Sequence, residues 1–129
     1  MKKILLAEDN PVNRELIREI LGDCEYDVIE ACDGQEALDK LAESTPDLVL
    51  LDIQMPVLDG YAVVQRIRDN PQLSKLRVIA LTAYAMRGDR ERALAAGFDD
   101  YMTKPIDLTT LTSKIKQFLE TETVSAQEA

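Results

Sequence analysis

The sequence lacks histidine altogether, which excludes histidine-based catalysis and histidine-ligated metal sites. Cysteine is scarce: Cys24 and Cys32 are the only two, and without signs of secretion we expect reduced, packed thiols. No apolar run approaches the roughly 20 residues of a membrane-spanning helix. Glu8, Asp9 and Asn10 interrupt the first apolar stretch too early for a signal peptide. We therefore expect a soluble, cytoplasmic protein with no membrane partner.

Positive charge and glycine are also limited. The chain has 15 Lys and Arg against 24 Asp and Glu, a net charge of −9, and this balance argues against a nucleic-acid partner, which requires a basic surface. None of the five glycines lies in residues 9–13, after the first apolar run, so the glycine-rich loop of nucleotide-binding enzymes is missing. A length of 129 residues and 46% hydrophobic content indicate one globular domain.

What the sequence does contain is a regular alternation of short apolar runs and amphipathic segments. Five strand-like runs cover residues 3–7, 27–31, 48–51, 78–81 and 100–103. Five helix-like segments cover about residues 11–21, 34–42, 60–69, 87–96 and 107–119. Repeated strand–helix units predict a parallel sheet with right-handed crossovers, here a doubly wound three-layer α/β sandwich. We predict a domain over residues 1–120 and a polar, disordered tail over 121–129.

Local signals predict where the helices begin and end. Asn10 is a plausible N-cap followed by Pro11, Asp59 is expected to cap the third helix, and Gly22 and Gly97 are expected to follow the ends of the first and fourth helices. The apolar residues of the first helix have helical spacing; they are Val12, Leu16, Ile17, Ile20 and Leu21.

Acidic residues follow two of the apolar runs. Asp52 ends the run over residues 48–51, and Glu8 and Asp9 end the run over residues 3–7. The carboxyl ends of parallel strands form the ligand crevice of an open α/β sheet, so these acids are expected to meet at one edge. Three acids at one place cost free energy unless a cation lies among them. Mg²⁺ suits such a set of hard oxygen ligands.

Two further strand ends contribute groups of another kind. The fourth run ends in Thr82, a hydroxyl donor, and the fifth is followed by Lys104, a positive charge. Acids, a hydroxyl and a lysine converging on one edge favour phosphoryl chemistry on a carboxylate. In that interpretation Asp52 is the nucleophile, Mg²⁺ neutralises phosphoryl oxygens, and Thr82 and Lys104 hold the remaining oxygens.

Four stretches carry a family resemblance, and they occur in the family's order. They are residues 6–10 (LAEDN), 51–60 (LDIQMPVLDG), 81–83 (LTA) and 101–105 (YMTKP). Over roughly residues 2–120 the chain resembles the receiver domain of the two-component response regulator family. The resemblance implies a flavodoxin-like sheet of strand order 2-1-3-4-5. It also implies a switch, not an enzyme that turns over a substrate.

The resemblance implies a role for each matching residue. Asp52 would accept a phosphoryl group from the phosphohistidine of a histidine kinase or phosphotransfer protein. Glu8 and Asp9 would bind Mg²⁺, for which Mn²⁺ can substitute, together with Asp52 and the backbone carbonyl of Gln54. These roles make the chain a phosphoprotein that binds a metal ion.

The remaining matches imply how a signal leaves the site. Thr82 and Lys104 would contact the phosphoryl group, Lys104 through a typically cis bond to Pro105, and Tyr101 would be the switch aromatic. The face formed by the fourth helix, fifth strand and fifth helix would then contact an unknown downstream protein. Bulky Tyr84 predicts slow self-dephosphorylation, and the protein is expected to be a monomer or weak dimer.

The sequence leaves two alternatives to a stand-alone regulator. The first is a receiver domain belonging to a hybrid histidine kinase, which the opening Glu8-Asp9-Asn10 also resembles. The second is a phosphatase with an aspartate nucleophile. Such an enzyme needs a second acid two residues after the nucleophile, where this chain has Gln54, and a cap domain for which no segment is available.

Overall fold

A computed structural model describes residues 2–83 and 87–128, with side chains described as far as Leu119. The strands are β1 (Lys3–Ala7), β2 (Asp27–Ala31), β3 (Leu48–Asp52), β4 (Arg77–Thr82) and β5 (Asp100–Thr103). The helices are α1 (Pro11–Asp23), α2 (Gly34–Glu43), α3 (Gly60–Asp69), α4 (Asp89–Ala96) and α5 (Leu108–Glu128).

The strands form a single parallel sheet in the order β2-β1-β3-β4-β5. In the middle of the sheet, Leu5 of β1 lies opposite Ile29 of β2 and Val49 of β3. Every strand is followed by a helix, because a parallel neighbour can be reached only by a crossover. The predicted doubly wound α/β fold and the strand order are both confirmed.

Alternate residues of each strand pack into different cores on the two faces of the sheet. Leu5 and Ala7 belong to the core beneath α2, α3 and α4, whereas Ile4 and Leu6 belong to the core beneath α1 and α5. This division follows from the two-residue period of a strand. All four side chains are buried, as expected for a strand whose two faces are both covered by helices.

Three of the predicted helix boundaries are set by the expected caps. The Asn10 Oδ1 accepts hydrogen bonds from the backbone N–H groups of Val12 and Asn13, at 2.9 and 3.2 Å. Gly97 follows α4 with a φ of 117°, a left-handed conformation that glycine adopts without strain. Asp59 caps α3 by accepting from the backbone N–H of Ala62 at 2.9 Å.

Helix α1 departs from its prediction in two ways. It continues to Asp23, beyond Gly22, and the left-handed residue of the following turn is Glu25, with a φ of 66°. Val12 and Leu16 are also exposed, by 72% and 50%, whereas the residues that face the sheet are Ile17 and Leu21. The reason is geometric, since the two pairs form parallel stripes that lie about 140° apart around the helix.

The other boundaries differ by at most two residues, except the end of α5, which lies nine residues beyond its prediction. Asp52 and Thr82 are the last residues of their strands, one position beyond the predicted apolar runs. Helix α4 begins at Asp89 instead of residue 87, and α5 continues through Glu128, past the predicted end at Leu119. The division of the chain at residue 120 stays a prediction.

Gly60 allows α3 to start against the end of β3. A Cβ atom at this position would lie 2.6 Å from the backbone oxygen of Asp52 and 2.7 Å from the Cα of Ile53. Neither backbone atom can be displaced by a change of rotamer. The glycine therefore permits the close approach that places the first turn of α3 beside Asp52.

We expect Gly60→Ala to lower the free energy of unfolding by about 2 kcal/mol or more, since the added methyl group must displace backbone. Gly22→Ala is the matched control. Its Cβ would meet nothing within 4 Å inside α1, so it should stabilise the protein by about 0.5–1 kcal/mol. Urea unfolding measures both changes, and equal effects of the two substitutions would contradict the prediction.

Candidate functional site

The carboxyl-terminal edge of the sheet brings the predicted polar residues together. Asp52 ends β3 and Thr82 ends β4, while Glu8 directly follows β1 and Lys104 directly follows β5. The parallel register makes these strands finish at the same level, so side chains distant in sequence converge. Asp9, next to Glu8, belongs to the same edge.

The acidic residues form a group that could hold a metal ion. Carboxylate oxygens of Glu8, Asp9 and Asp52 all lie within 4.8 Å of one another. Glu8 is fully buried and Asp52 is 1% exposed, whereas Asp9 is exposed to solvent. The cluster is therefore buried on one side and open to solvent on the other, which suits a small cation that keeps several of its water molecules.

Lys104 lies between two of these acids. Its Nζ is 2.6 Å from the Glu8 Oε1 and 2.7 Å from the Asp52 Oδ2. The Lys104–Pro105 peptide bond is cis. The other Asp52 oxygen, Oδ1, accepts a hydrogen bond from the backbone N–H of Gln54 at 3.0 Å. Both oxygens of Asp52 are thus held in place.

One lysine does not satisfy all the carboxylates of the cluster. The Glu8 Oε2 is buried and accepts no hydrogen bond from the described part of the chain. The Glu8 Oε1 has an ion pair with Lys104 but no contact with the geometry of a hydrogen bond. A buried anionic oxygen without a partner is costly, and a cation among these acids would remove that cost. The residues present therefore fit Mg²⁺.

Burial and mutual contact separate the two buried carboxyl groups. Burial, together with the adjoining Glu8 and against the opposing effect of Lys104, raises the pKa of Asp52 to about 7. Burial acts to raise the pKa of Glu8 as well, but contacts with Asp52, Lys104 and Asn13 outweigh it and the pKa is lowered. The two carboxyl groups titrate as a coupled pair, in which the pKa of Asp52 is raised and that of Glu8 is lowered.

Lys104 stays charged in this setting. Burial acts to lower the pKa of its ammonium group, but hydrogen bonds and charge attraction from Asp52 and Glu8 reverse that effect, and the pKa is raised. A fixed positive charge beside a carboxylate is suited to neutralise an anion that reaches Asp52.

The Thr82 hydroxyl contacts the side-chain amide of Gln54. The Gln54 Nε2 donates to the Thr82 Oγ1 at 3.0 Å, and the Gln54 Oε1 lies 3.2 Å from the same hydroxyl. The backbone N–H of Ala83 donates to that Oε1 at 3.4 Å. Sequence reasoning assigned Gln54 a metal-binding backbone carbonyl and a side chain that could orient water. It missed this contact, because no local pattern relates residues that lie 28 positions apart.

The sequence-predicted Tyr101 is not part of the acidic cluster. Tyr101 is half-buried on β5 opposite Ala80, packs against the core beneath α2, α3 and α4, and has a pKa raised by burial and by the charge of Asp89. Tyr84 lies outside the described residues. The role of the Gln54 backbone carbonyl stays a prediction.

Sequence reasoning also missed an ionic link on the face formed by α4, β5 and α5. The Asp100 carboxylate of β5 is buried and accepts a hydrogen bond from the Lys114 Nζ of α5 at 2.7 Å. Arg90 of α4 lies 3.9 Å from the other oxygen. The only sequence signal was an acid inside a strand-like segment. This link connects the three elements of the face.

The fold and site together define a doubly wound α/β domain with an acidic cation site and a lysine at the carboxyl edge of its sheet. The sequence matches the family described as response regulator receiver domain over residues 4–116. It is 39% identical over 118 residues to the polar-differentiation response regulator DivK of Brucella anthropi, covering 92% of this chain and 96% of that protein. The chain therefore belongs to the response regulator receiver domain family.

Solved structures agree with this assignment. The receiver domain of a sensor histidine kinase from Pseudomonas aeruginosa PAO1 is 38% identical with a TM-score of 0.84, covering 91% of this chain and 96% of that one. That structure has a magnesium ion coordinated in its active-site cleft. The chemotaxis protein CheY4 of Vibrio cholerae is 28% identical with a TM-score of 0.86, covering 92% and 99%.

Family membership establishes the general class of activity. Receiver domains take phosphoryl groups from histidine kinases, act on downstream targets and are generally signalling switches without enzymatic turnover. Within the described residues, no helix combines the length and the apolar character needed to cross a membrane.

In protein free of divalent cations, we expect Asp52→Asn to raise the free energy of unfolding by about 1–3 kcal/mol near pH 8. The pKa of Asp52 is raised in the folded state, so ionisation costs stability as the pH rises from the ordinary value of 3.8 through about 7. Asparagine does not ionise, and the advantage of the variant should therefore shrink toward about pH 4.

Urea unfolding at the two pH values measures this difference. Asp39→Asn, which removes one negative charge from the exposed surface of α2, is the matched control and should show no such gain. An advantage of Asp52→Asn that is the same at both pH values would contradict the assignment of a raised pKa.

Proposed function

We propose that Asp52 is the phosphoryl acceptor of a signalling switch, taking the group from the phosphohistidine of a histidine kinase or phosphotransfer protein. The observation that carries this proposal is the environment of its carboxylate. Asp52 is buried at the sheet edge, 2.7 Å from the Lys104 ammonium and within a cluster of acids. Neighbouring acids without a counter-charge do not help an acid with a purely structural role. A phosphoryl acceptor that works with a divalent cation requires such acids as ligands.

The step is a direct transfer between two groups. An Asp52 carboxylate oxygen attacks phosphorus, the new O–P bond forms as the N–P bond to the donor histidine breaks, and the electron pair of that bond stays on the imidazole nitrogen. Lys104 would neutralise one phosphoryl oxygen and the Thr82 hydroxyl would donate to another. The product is an aspartyl phosphate.

Glu8, Asp9 and Asp52 would hold the divalent cation, with the backbone carbonyl of Gln54. When bound, Mg²⁺ supplies positive charge that keeps Asp52 ionised and offsets the charge of the phosphoryl oxygens. Two observations support this assignment. Among the described residues, the Glu8 Oε2 has no hydrogen-bond partner and is available as an anionic ligand, and the exposed position of Asp9 leaves the site open to water.

Phosphorylation adds roughly two negative charges and strong acceptor oxygens at this edge. Thr82 would move toward them, and Tyr101 would change rotamer in response. The face of α4, β5 and α5 would then present a different surface to a downstream protein. The ionic link that joins Arg90, Asp100 and Lys114 across this face supports a coupled response of the three elements.

Exposed apolar residues lie on elements that follow the carboxyl ends of the strands, and they would offer a surface for the phosphoryl donor. Val12 and Leu16 lie on α1, Val57 lies in the loop after β3, and Leu108 begins α5. The elements that carry them all follow directly on the carboxyl ends of strands. Large apolar side chains left in water commonly mark a protein contact, and a donor that contacts this surface has its phosphohistidine close to Asp52.

A receiver domain within a hybrid histidine kinase remains the alternative. It is favoured by the similarity to a histidine-kinase receiver, and the stand-alone regulator by the similarity to DivK. Both assign the same chemistry to Asp52. A phosphatase is disfavoured because Gln54 occupies the position of the general acid, and its amide contacts Thr82.

The central test is incubation with acetyl phosphate and Mg²⁺ followed by intact mass measurement. Wild-type protein should gain one phosphoryl group, and Asp52→Asn should gain none because its amide is not nucleophilic. The matched control is Asp39→Asn, which should be modified like wild type. Absence of the adduct on wild type, or an undiminished adduct on Asp52→Asn, would falsify the proposal. Slow decay of the adduct would support the predicted slow self-dephosphorylation.

The donor surface is tested by Leu16→Asp, which places a charge in the exposed apolar patch. Transfer from a phosphorylated histidine phosphotransfer protein should slow by roughly five-fold or more, while modification by acetyl phosphate should be unchanged. Leu94→Asp, the same change at an exposed leucine of α4, is the matched control for transfer. Equal slowing with both donors would show that Leu16 supports the site and not the contact.

A further inference from the structure

Thr82 is hydrogen-bonded in this structure to the side chain of Gln54. Thr82 is the last residue of β4, at the carboxyl-terminal edge of the sheet, yet it is only 2% exposed. Both polar atoms of the Gln54 amide lie within hydrogen-bond distance of its hydroxyl, at 3.0 and 3.2 Å. Gln54 itself is exposed, so its side chain has room to leave.

The side-chain carbonyl oxygen of Gln54 accepts hydrogen bonds from two donors that a phosphoryl oxygen on Asp52 would also use. A hydroxyl has one proton to donate, and a backbone N–H has one as well. The Thr82 hydroxyl and the Ala83 N–H both direct these donors at the same acceptor, the Gln54 Oε1, at 3.2 and 3.4 Å. Neither donor can serve this oxygen and a phosphoryl oxygen at full strength together.

We infer that Gln54 is a positioning residue that holds Thr82 in the resting state of the switch and must release it when Asp52 is phosphorylated. This inference rests on the proposed function. Only Ile53 separates Asp52 from Gln54 in the chain, and the backbone N–H of Gln54 also donates to the Asp52 carboxylate at 3.0 Å. One residue thus contacts both the acceptor of the phosphoryl group and the hydroxyl that responds to it.

The contact between Gln54 and Thr82 contributes to the free-energy difference between the resting and phosphorylated states of Thr82. The Gln54 contact stabilises the resting state and is lost in the phosphorylated one, so it opposes activation by the amount it contributes. Removing the contact should shift Thr82 toward its activated position before any phosphoryl group arrives. It should also speed modification, because only the starting state is destabilised.

Gln54→Met tests the inference, since methionine has a similar length and offers no strong hydrogen bond. In the unphosphorylated variant, the backbone amide NMR signals of Thr82 and Ala83 should move part of the way toward their phosphorylated positions. The rate of modification by acetyl phosphate with Mg²⁺ should rise about three-fold. Gln65→Met, which removes an exposed glutamine amide that contacts Asp69 on α3, is the matched control.

Wild-type protein provides a second measurement that needs no variant. The side-chain amide signals of Gln54 should shift on phosphorylation, because the amide leaves Thr82. If wild type forms the adduct but these signals stay in place, or if Gln54→Met leaves Thr82 and Ala83 at their resting positions, the inference is wrong. If wild type forms no adduct at all, the proposed function fails instead.

Discussion

The Lys104 ammonium lies between two buried carboxylates, and the arrangement of the whole edge depends on this contact. Without it, Glu8 and Asp52 would be like charges taken out of water beside each other. With it, one charge is offset, and one oxygen of Glu8 has no hydrogen-bond partner within the part of the chain that the structure describes. The site is thus stable enough to fold and still carries uncompensated negative charge, which is what allows a divalent cation to bind.

This contact requires the rest of the fold to place it. Lys104 follows the edge strand β5, two strands away from β3 and three from β1, and only an unbroken parallel register brings its Nζ to Asp52 and Glu8. The apolar residues of the strands supply that register by filling both cores. Gly60 then lets α3 start directly against Asp52. Stability and function therefore depend on the same geometry. Within the described residues, the cost of the site to stability is a buried Glu8 oxygen without a hydrogen-bond partner.

Much of the fold could be predicted because the signals are local. An apolar run between polar residues indicates a strand covered on both faces, and a cap such as Asn10 marks a helix start. The exposed stripe on α1 could not be predicted, since Val12 and Leu16 have helical spacing just as Ile17 and Leu21 do. Only the direction in which α1 packs on the sheet decides which pair is buried. Because Val12 and Leu16 are exposed, we interpret them as a contact surface and not as core residues.

By itself, the sequence determined the kind of protein and its possible chemistry: alternating strands and helices, no histidine, acids after β1 and β3, a hydroxyl after β4 and a lysine after β5. These features are local, so burial and backbone propensity dictate them directly. The tertiary structure decided which atoms meet. The Lys104–Asp52 contact joins residues 52 positions apart, and the Gln54–Thr82 contact joins residues 28 apart. Such contacts depend on register and rotamer together, and no local pattern specifies both.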